Sequence, residues 1–222
     1  MKLLILVLSK EDSSTYSNFK KVQKETWDSV EFENVETLYY IGNTNINELV
    51  GDVVHTDVSE SLFNCGKKFL SCLEIIKHLD FDFIFRTNSS SYVDKKLIYK
   101  FLLDNINSSN FDSYYAGVNG YFGNIKFASG SGFFMSKKNV NLLLDNVKLF
   151  NHSLIDDVAV GDVMSRCGID VQQTDRFDIV NENINTIDFN NLPLDFFHYR
   201  FKTYNRNNDM ENMKLIHKLK HK

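Results

Sequence analysis

The chain has 222 residues, 43% of them hydrophobic and 14% aromatic, and Lys+Arg 25 against Asp+Glu 29 leave a net charge of −4. That apolar content sustains one sizeable core and excludes a disordered chain. Without a basic excess, a nucleic-acid binder held by phosphate charge is excluded as well.

In chain order, Leu3–Leu8 is a continuous apolar run, the pattern of a strand covered on both faces. It is short, follows one lysine and leads into Ser9-Lys10-Glu11-Asp12, so it reads as a strand rather than a signal peptide. Thr15–Val30 predicts a helix with Phe19, Val22 and Trp27 on one stripe, Val35–Ile41 a strand ending at Gly42-Asn43, and Val53-Val54 a short strand. Phe63–Leu79 has helical apolar spacing, and Phe81–Phe85 is a further buried strand. This alternation predicts a mostly parallel sheet flanked by helices. Lys95–Asn105 predicts a helix, Tyr114–Gly132 a stretch rich in Gly, Tyr, Phe and Ser, and Phe133-Phe134-Met135 a strand. Helices are expected over Asn139–Phe150, Val158–Cys167 and Asp209–Lys222. No run approaches the roughly 18 apolar residues of a membrane span. Cys65, Cys72 and Cys167 form no CxxC pair and read as reduced thiols.

Ligands of open parallel sheets bind beyond the carboxyl ends of the strands. There lie Ser9-Lys10, Gly42-Asn43 and Arg86-Thr87-Asn88-Ser89-Ser90-Ser91. No GxGxxG or P-loop pattern follows the first strand. The Arg86–Ser91 cluster either holds phosphate oxygens through guanidinium, amide and hydroxyls or is a turn capping the next helix. Asp156-Asp157 either cap the helix behind them or do chemistry. Gly130-Ser131-Gly132 either admit a sugar or pyrophosphate close to the backbone or form a turn. The aromatic Tyr114–Gly123 segment, Tyr115 included, either stacks on sugar or packs in the core.

These segments together resemble the Fringe and β-1,3-galactosyltransferase/N-acetylglucosaminyltransferase group. Phe85-Arg86-Thr87-Asn88-Ser89-Ser90-Ser91-Tyr92-Val93 resembles its strand leading into three aspartates, with Asn88, Ser89 and Ser90 at the aspartate positions. Lys24-Glu25-Thr26-Trp27, Asn64-Cys65-Gly66-Lys67-Lys68, Gly130–Ser136, Asp156–Gly161 and Phe197-His198-Tyr199 resemble further landmarks in family order. The resemblance implies a single GT-A-type domain over 1–222, residues 1–93 holding the nucleotide and 94–222 the acceptor. It implies transfer from a nucleotide-sugar, a UDP-sugar foremost, to a glycan hydroxyl with inversion. Asp157 is then the base and Asp156 either orients it or bonds an acceptor hydroxyl, while Gly130, Ser131, Gly132 and Tyr115 meet acceptor or sugar.

Relatives bind a divalent metal (Mn²⁺ or Mg²⁺) through carboxylates, whereas Asn88, Ser89 and Ser90 offer oxygens without charge. Three consequences stay open. Arg86, the hydroxyls, Ser9 and Lys10 or Lys68 hold the diphosphate without metal; a weak metal is carried by the diphosphate and His198; or catalysis is lost, leaving a nucleotide- or glycan-binding protein. His198 is then a phosphate or sugar partner, with Arg200 and Lys202 adding charge. A sugar nucleotidyltransferase is the rival enzyme class, and it lacks its Gly-rich basic loop after Leu8. A cytoplasmic protein of bacterial or viral origin is the expectation. The basic C-terminal helix is either plainly amphipathic or a weak membrane-surface contact.

Overall fold

The computed structural model describes residues 1–10 and 14–221. In chain order its elements are β1 (Leu3–Leu8), α1 (Ser14–Glu25), β2 (Val35–Ile41), β3 (Glu48–Val50), β4 (Val53–His55), α2 (Cys65–Ile76), β5 (Phe83–Asn88) and β6 (Ser91–Val93). They continue as α3 (Lys95–Asn105), β7 (Tyr115–Phe122), β8 (Ile125–Ser136), α4 (Lys137–Asp145), α5 (Asp156–Arg166), β9 (Gln172–Gln173), β10 (Phe177–Val180), β11 (His198–Lys202) and α6 (Arg206–Lys220). The expected mixed α/β architecture, a large mostly parallel sheet with helices, is what forms. Of the expected basic helix, Lys222 lies outside the described residues, as do Glu11 and Asp12 behind the first strand.

The chain divides into two compact units. The first comprises residues 1–10, 34–88 and 106–174. It holds an eight-stranded sheet in the order β3-β4-β2-β1-β5-β8-β7-β9. β1 pairs in parallel with β2 and with β5 along its whole length, Leu8 meeting Tyr40 on one side and Asn88 on the other. Three strands therefore end level, at Leu8, Ile41 and Asn88. The central strands are apolar throughout because both faces are covered: Ile5, Leu6, Val7, Phe83 and Ile84 are fully buried. α2 turns Phe69, Leu73 and Ile76 into the same core as Tyr40, Phe133, Val160 and Val163.

The Gly- and Tyr-rich stretch is not a loop. It forms the β7–β8 hairpin, with β8 antiparallel to β5. Its glycines make room for neighbouring side chains: a Cβ at Gly120 would sit 2.5 Å from the Phe127 ring and one at Gly117 2.8 Å from the Ala128 Cβ. Composition alone reads such glycines as turn formers; cross-strand packing makes them strand residues.

The second unit comprises, among the described residues, 14–33, 89–105 and 175–221. A three-stranded sheet in the order β10-β11-β6 runs through it. One face carries Phe177, Ile179, Tyr199, Phe201 and Tyr92, and the other His198, Arg200 and Asp178, as the two-residue period of strands requires. Trp27 is buried and donates through Nε1 to Ser91 O, while Gln23 Nε2 donates to the same carbonyl. The apolar stripe of α6 (Met210, Met213, Ile216) is buried. Lys220 donates to Asp94, Leu194 O and Phe196 O. The helix is thus amphipathic with its apolar face already occupied. No described helix is long and apolar enough to cross a membrane.

Candidate active site

In the first unit the acidic pair begins α5, after Ile155 in extended conformation. Neither carboxylate caps the helix from the N-cap position; both sit in its first turn, where backbone N–H groups favour negative charge. The two then separate in role. Asp156 forms a buried ion pair with Arg86 Nη2. Arg86 also donates to Gly130 O and, through Nε at 3.0 Å, to the Tyr40 hydroxyl. Its guanidinium lies against the Phe69 and Phe133 rings. Among the described residues Asp157 forms no ion pair. Its Oδ2 accepts from Gly130 N at 2.7 Å and its Oδ1 from Val158 N at 2.9 Å. Burial and the neighbouring Asp156 charge push its pKa up, against the pull of Gly130 N–H and Arg86.

Gly130, Ser131 and Gly132 lie within β8, not in a turn. A Cβ on Gly130 would stand 2.6 Å from Arg86 Nη1 and 3.0 Å from Asp157 Oδ2. The close approach that glycine permits here is made by Arg86 and Asp157. Ser131 O accepts from Thr87 Oγ1 at 2.6 Å, tying β8 to the end of β5. Gly161, one turn and a half along α5, seats the helix on β8: its Cβ would fall 2.4 Å from that of Phe127. Tyr115 is in the core, its hydroxyl accepting from Ala128 N. The exposed aromatics of the hairpin are instead Tyr121 and Phe122.

Lys68, expected among the phosphate-binding groups, is a tie beneath the strand ends. Its Nζ donates to both Glu60 oxygens, at 2.9 and 2.7 Å, and to Ser9 O at 3.0 Å. Glu60 Oε1 in turn accepts from Gly42 N. This chain of bonds holds the segments after β1 and β2 together. Ser9 is also buried, yet its Oγ has no hydrogen-bond partner among the described residues. A buried hydroxyl left without a partner costs stability. Lys10 follows it, half-buried.

Asn88 ends β5 in the first unit, while Ser89, Ser90 and Ser91 belong to the second. There His198 is fully buried, with Nε2 3.1 Å from Ser91 Oγ. Burial and the guanidiniums of Arg176 and Arg200 hold its pKa well below the usual histidine value, so the ring is neutral. Arg176 donates to both oxygens of Asp178, at 2.6 and 3.2 Å, and Arg200 reaches the same carboxylate at 3.6 Å. Arg176 carries no motif and stands in a polar stretch, so the sequence gives no signal for it; only the register Asp178↔Arg200↔Ser91 exposes the grouping.

These residues do not fit a divalent cation. Asn88, Ser89 and Ser90 are neutral, His198 stands beside two guanidiniums, and among the described residues no three His, Cys, Asp or Glu side chains form a group able to hold a metal. A dication at His198 would meet like charge.

No protein-family model matches the sequence, and no curated protein does. Solved structures match the fold. A glycosyltransferase involved in the glycosylation of the major capsid of PBCV-1 superposes with a TM-score of 0.57 at 12% identity, over 97% of this chain and 100% of that one. The fold is that of a GT-A glycosyltransferase. The glycosyltransferase GlyE of Streptococcus pneumoniae TIGR4 matches with a TM-score of 0.54 at 12% identity, over 98% of this chain, which spans 63% of that one. At such identity the likeness is one of fold; what the chain does rests on its own side chains.

Proposed function

We propose that this chain is an inverting glycosyltransferase, taking a sugar from a nucleotide-sugar, a UDP-sugar foremost, to a hydroxyl of a glycan acceptor. The observation that carries the reading is the splitting of the acidic pair. Asp156 is neutralised by Arg86, while Asp157, without an ion pair among the described residues and with a raised proton affinity, is held by Gly130 N and Val158 N.

Inversion by single displacement needs one carboxylate to take the proton of the attacking hydroxyl. As the acceptor oxygen bonds to the anomeric carbon, the bond to the donor's diphosphate breaks and the hydroxyl proton passes to Asp157. A raised pKa suits that task, because a carboxylate that binds protons more readily is the stronger base. Arg86 is a positioning residue. It fixes Asp156, and with Gly130 it sets where Asp157 lies. The orphaned Ser9 hydroxyl at the end of β1 is a donor contact in this reading, and Lys68 supports it by fixing the Ser9 carbonyl.

The test is release of nucleoside diphosphate from a panel of UDP-, GDP- and dTDP-sugars, with and without EDTA, by the wild type and by Asp157→Asn. Turnover by the wild type that Asp157→Asn loses, with donor affinity kept, is the expected result. Unchanged turnover in the variant removes Asp157 from the chemistry. Donor binding with no turnover in the wild type leaves the non-catalytic binding protein.

A further inference from the structure

We propose that Gly161 is a positioning residue for the transfer: by letting α5 lie against the backbone of β8, it sets the height at which Asp157 meets Gly130 and faces the acceptor hydroxyl. The role in transfer rests on the reading of Asp157 as the base; the seat itself rests on the geometry of the first unit.

Gly161 is buried in the middle of α5, where glycine is the poorest helix former after proline. Packing against β8 offsets that weakness. A Cβ on Gly161 would fall 2.4 Å from the Phe127 Cβ, 2.9 Å from the Phe127 Cα and 3.0 Å from Lys126 O. Two of these neighbours are backbone atoms, so no rotation of a side chain relieves the contact and the helix itself has to rise. Restoring ordinary van der Waals separation takes a shift of about 1 Å. Asp157 lies four residues back, on the same helix face. It makes the second contact: its Oδ2 accepts from Gly130 N at 2.7 Å, and a Cβ on Gly130 would stand 3.1 Å from the Asp157 Cβ. At both points a glycine permits the approach.

Phe127 and Gly130 are three apart in β8, and strict alternation would turn them to opposite faces. An irregularity in the strand brings both to α5. Gly117 pairs with Phe133 and Asn119 with Ala128, so two steps along β7 match five along β8. Gly130 lies among the extra residues, its N–H going to Asp157 and its C=O to Arg86. Bulges re-aim groups in this way beside active sites. A base acts only within hydrogen-bond reach of the proton it takes. A rise of about 1 Å at Gly161, carried one turn along a rigid helix, withdraws Asp157 from that reach, and a misplacement of this size costs about 10²-fold in rate.

Gly161→Ala in the full chain is the test, with Gly120→Ala as its control. A Cβ on Gly120 also strikes Phe127, but at ring atoms 2.5 and 2.7 Å away, which can swing aside without moving α5. Gly161→Ala should lower kcat about 10²-fold with the donor KM within about twofold of wild type, while Gly120→Ala keeps kcat within about twofold. A second readout needs no turnover. In the wild type the NMR shift of the Gly130 amide should follow the titration of Asp157, to which it donates. It should cease to do so in Gly161→Ala and persist in Gly120→Ala. If thermal melts show that Gly161→Ala does not fold, Phe127→Gly decides: withdrawing the Cβ that α5 rests against should loosen the same amide coupling and lower kcat. Wild-type kcat and amide titration in a folded Gly161→Ala, or in Phe127→Gly where that variant decides, overturn the proposal. So does an equal loss of kcat in Gly120→Ala. Failure of the glycosyltransferase reading looks different: the amide responds as described, and no nucleotide-sugar is turned over by the wild type.

Discussion

Arg86 in the first unit is buried, whereas Arg176 and Arg200 in the second are only partly so. Arg86 is matched: Asp156 balances its charge, while Gly130 O and the Tyr40 hydroxyl take further donors. Burial makes that pair a structural fixture, since breaking it strands a charge in a poorly solvated place. The other two arginines both reach Asp178. A buried cation paired in this way holds the protein's own parts in place.

The sharpest way to break this contrast is Arg86→Ala. It should cost about 3–5 kcal/mol of stability, the scale for stranding one partner of a buried ion pair, measured by denaturant unfolding. A loss near zero would show that Arg86 is not a fixture. Asp157→Asn should lower kcat by about 10²–10⁴-fold, the usual contribution of a general base. Because its folded-state pKa is raised, the ionised Asp157 opposes folding above that pKa, and the opposition fades as pH falls through it. The Asn variant should thus be no less stable than wild type at pH 7. The same shift moves the acid limb of the wild-type kcat/KM profile to higher pH than an unperturbed aspartate would give, activity falling as pH drops and Asp157 takes up its proton. A limb at the ordinary position would remove the raised pKa from the mechanism.

Gly130→Ala should perturb Arg86 and Asp157 together, costing about 1–3 kcal/mol as an overpacked site. Its transfer rate should fall as Asp157 is displaced. The smallest effect belongs to Ser9→Ala. Removing a hydroxyl with no partner should leave the melting temperature unchanged or slightly raised and weaken donor binding several-fold. Unchanged donor affinity would take Ser9 out of the site.

Much of the fold was legible because burial on both faces writes itself into composition. Leu3–Leu8, Val35–Ile41 and Lys95–Asn105 form with the boundaries that their patterns predict. The β7–β8 hairpin was not legible, because its glycines answer to Phe127, Ala128 and Phe133 across the strands, and no local pattern records a cross-strand neighbour. Asp156 and Asp157 stood out as an adjacent pair, yet adjacency gave both the same environment. Arg86 distinguishes them from 70 residues away.

By itself, then, the sequence determined where strands and helices form and which polar segments follow the strands, since those depend on the periodic burial of neighbours along the chain. Only the tertiary structure decided which carboxylate each of these cations meets. Lys68 meets Glu60, Arg86 meets Asp156, and Arg176 and Arg200 divide Asp178. Charge balance is a property of distances in space, set by register and packing, and residues far apart in the chain carry no mark of it.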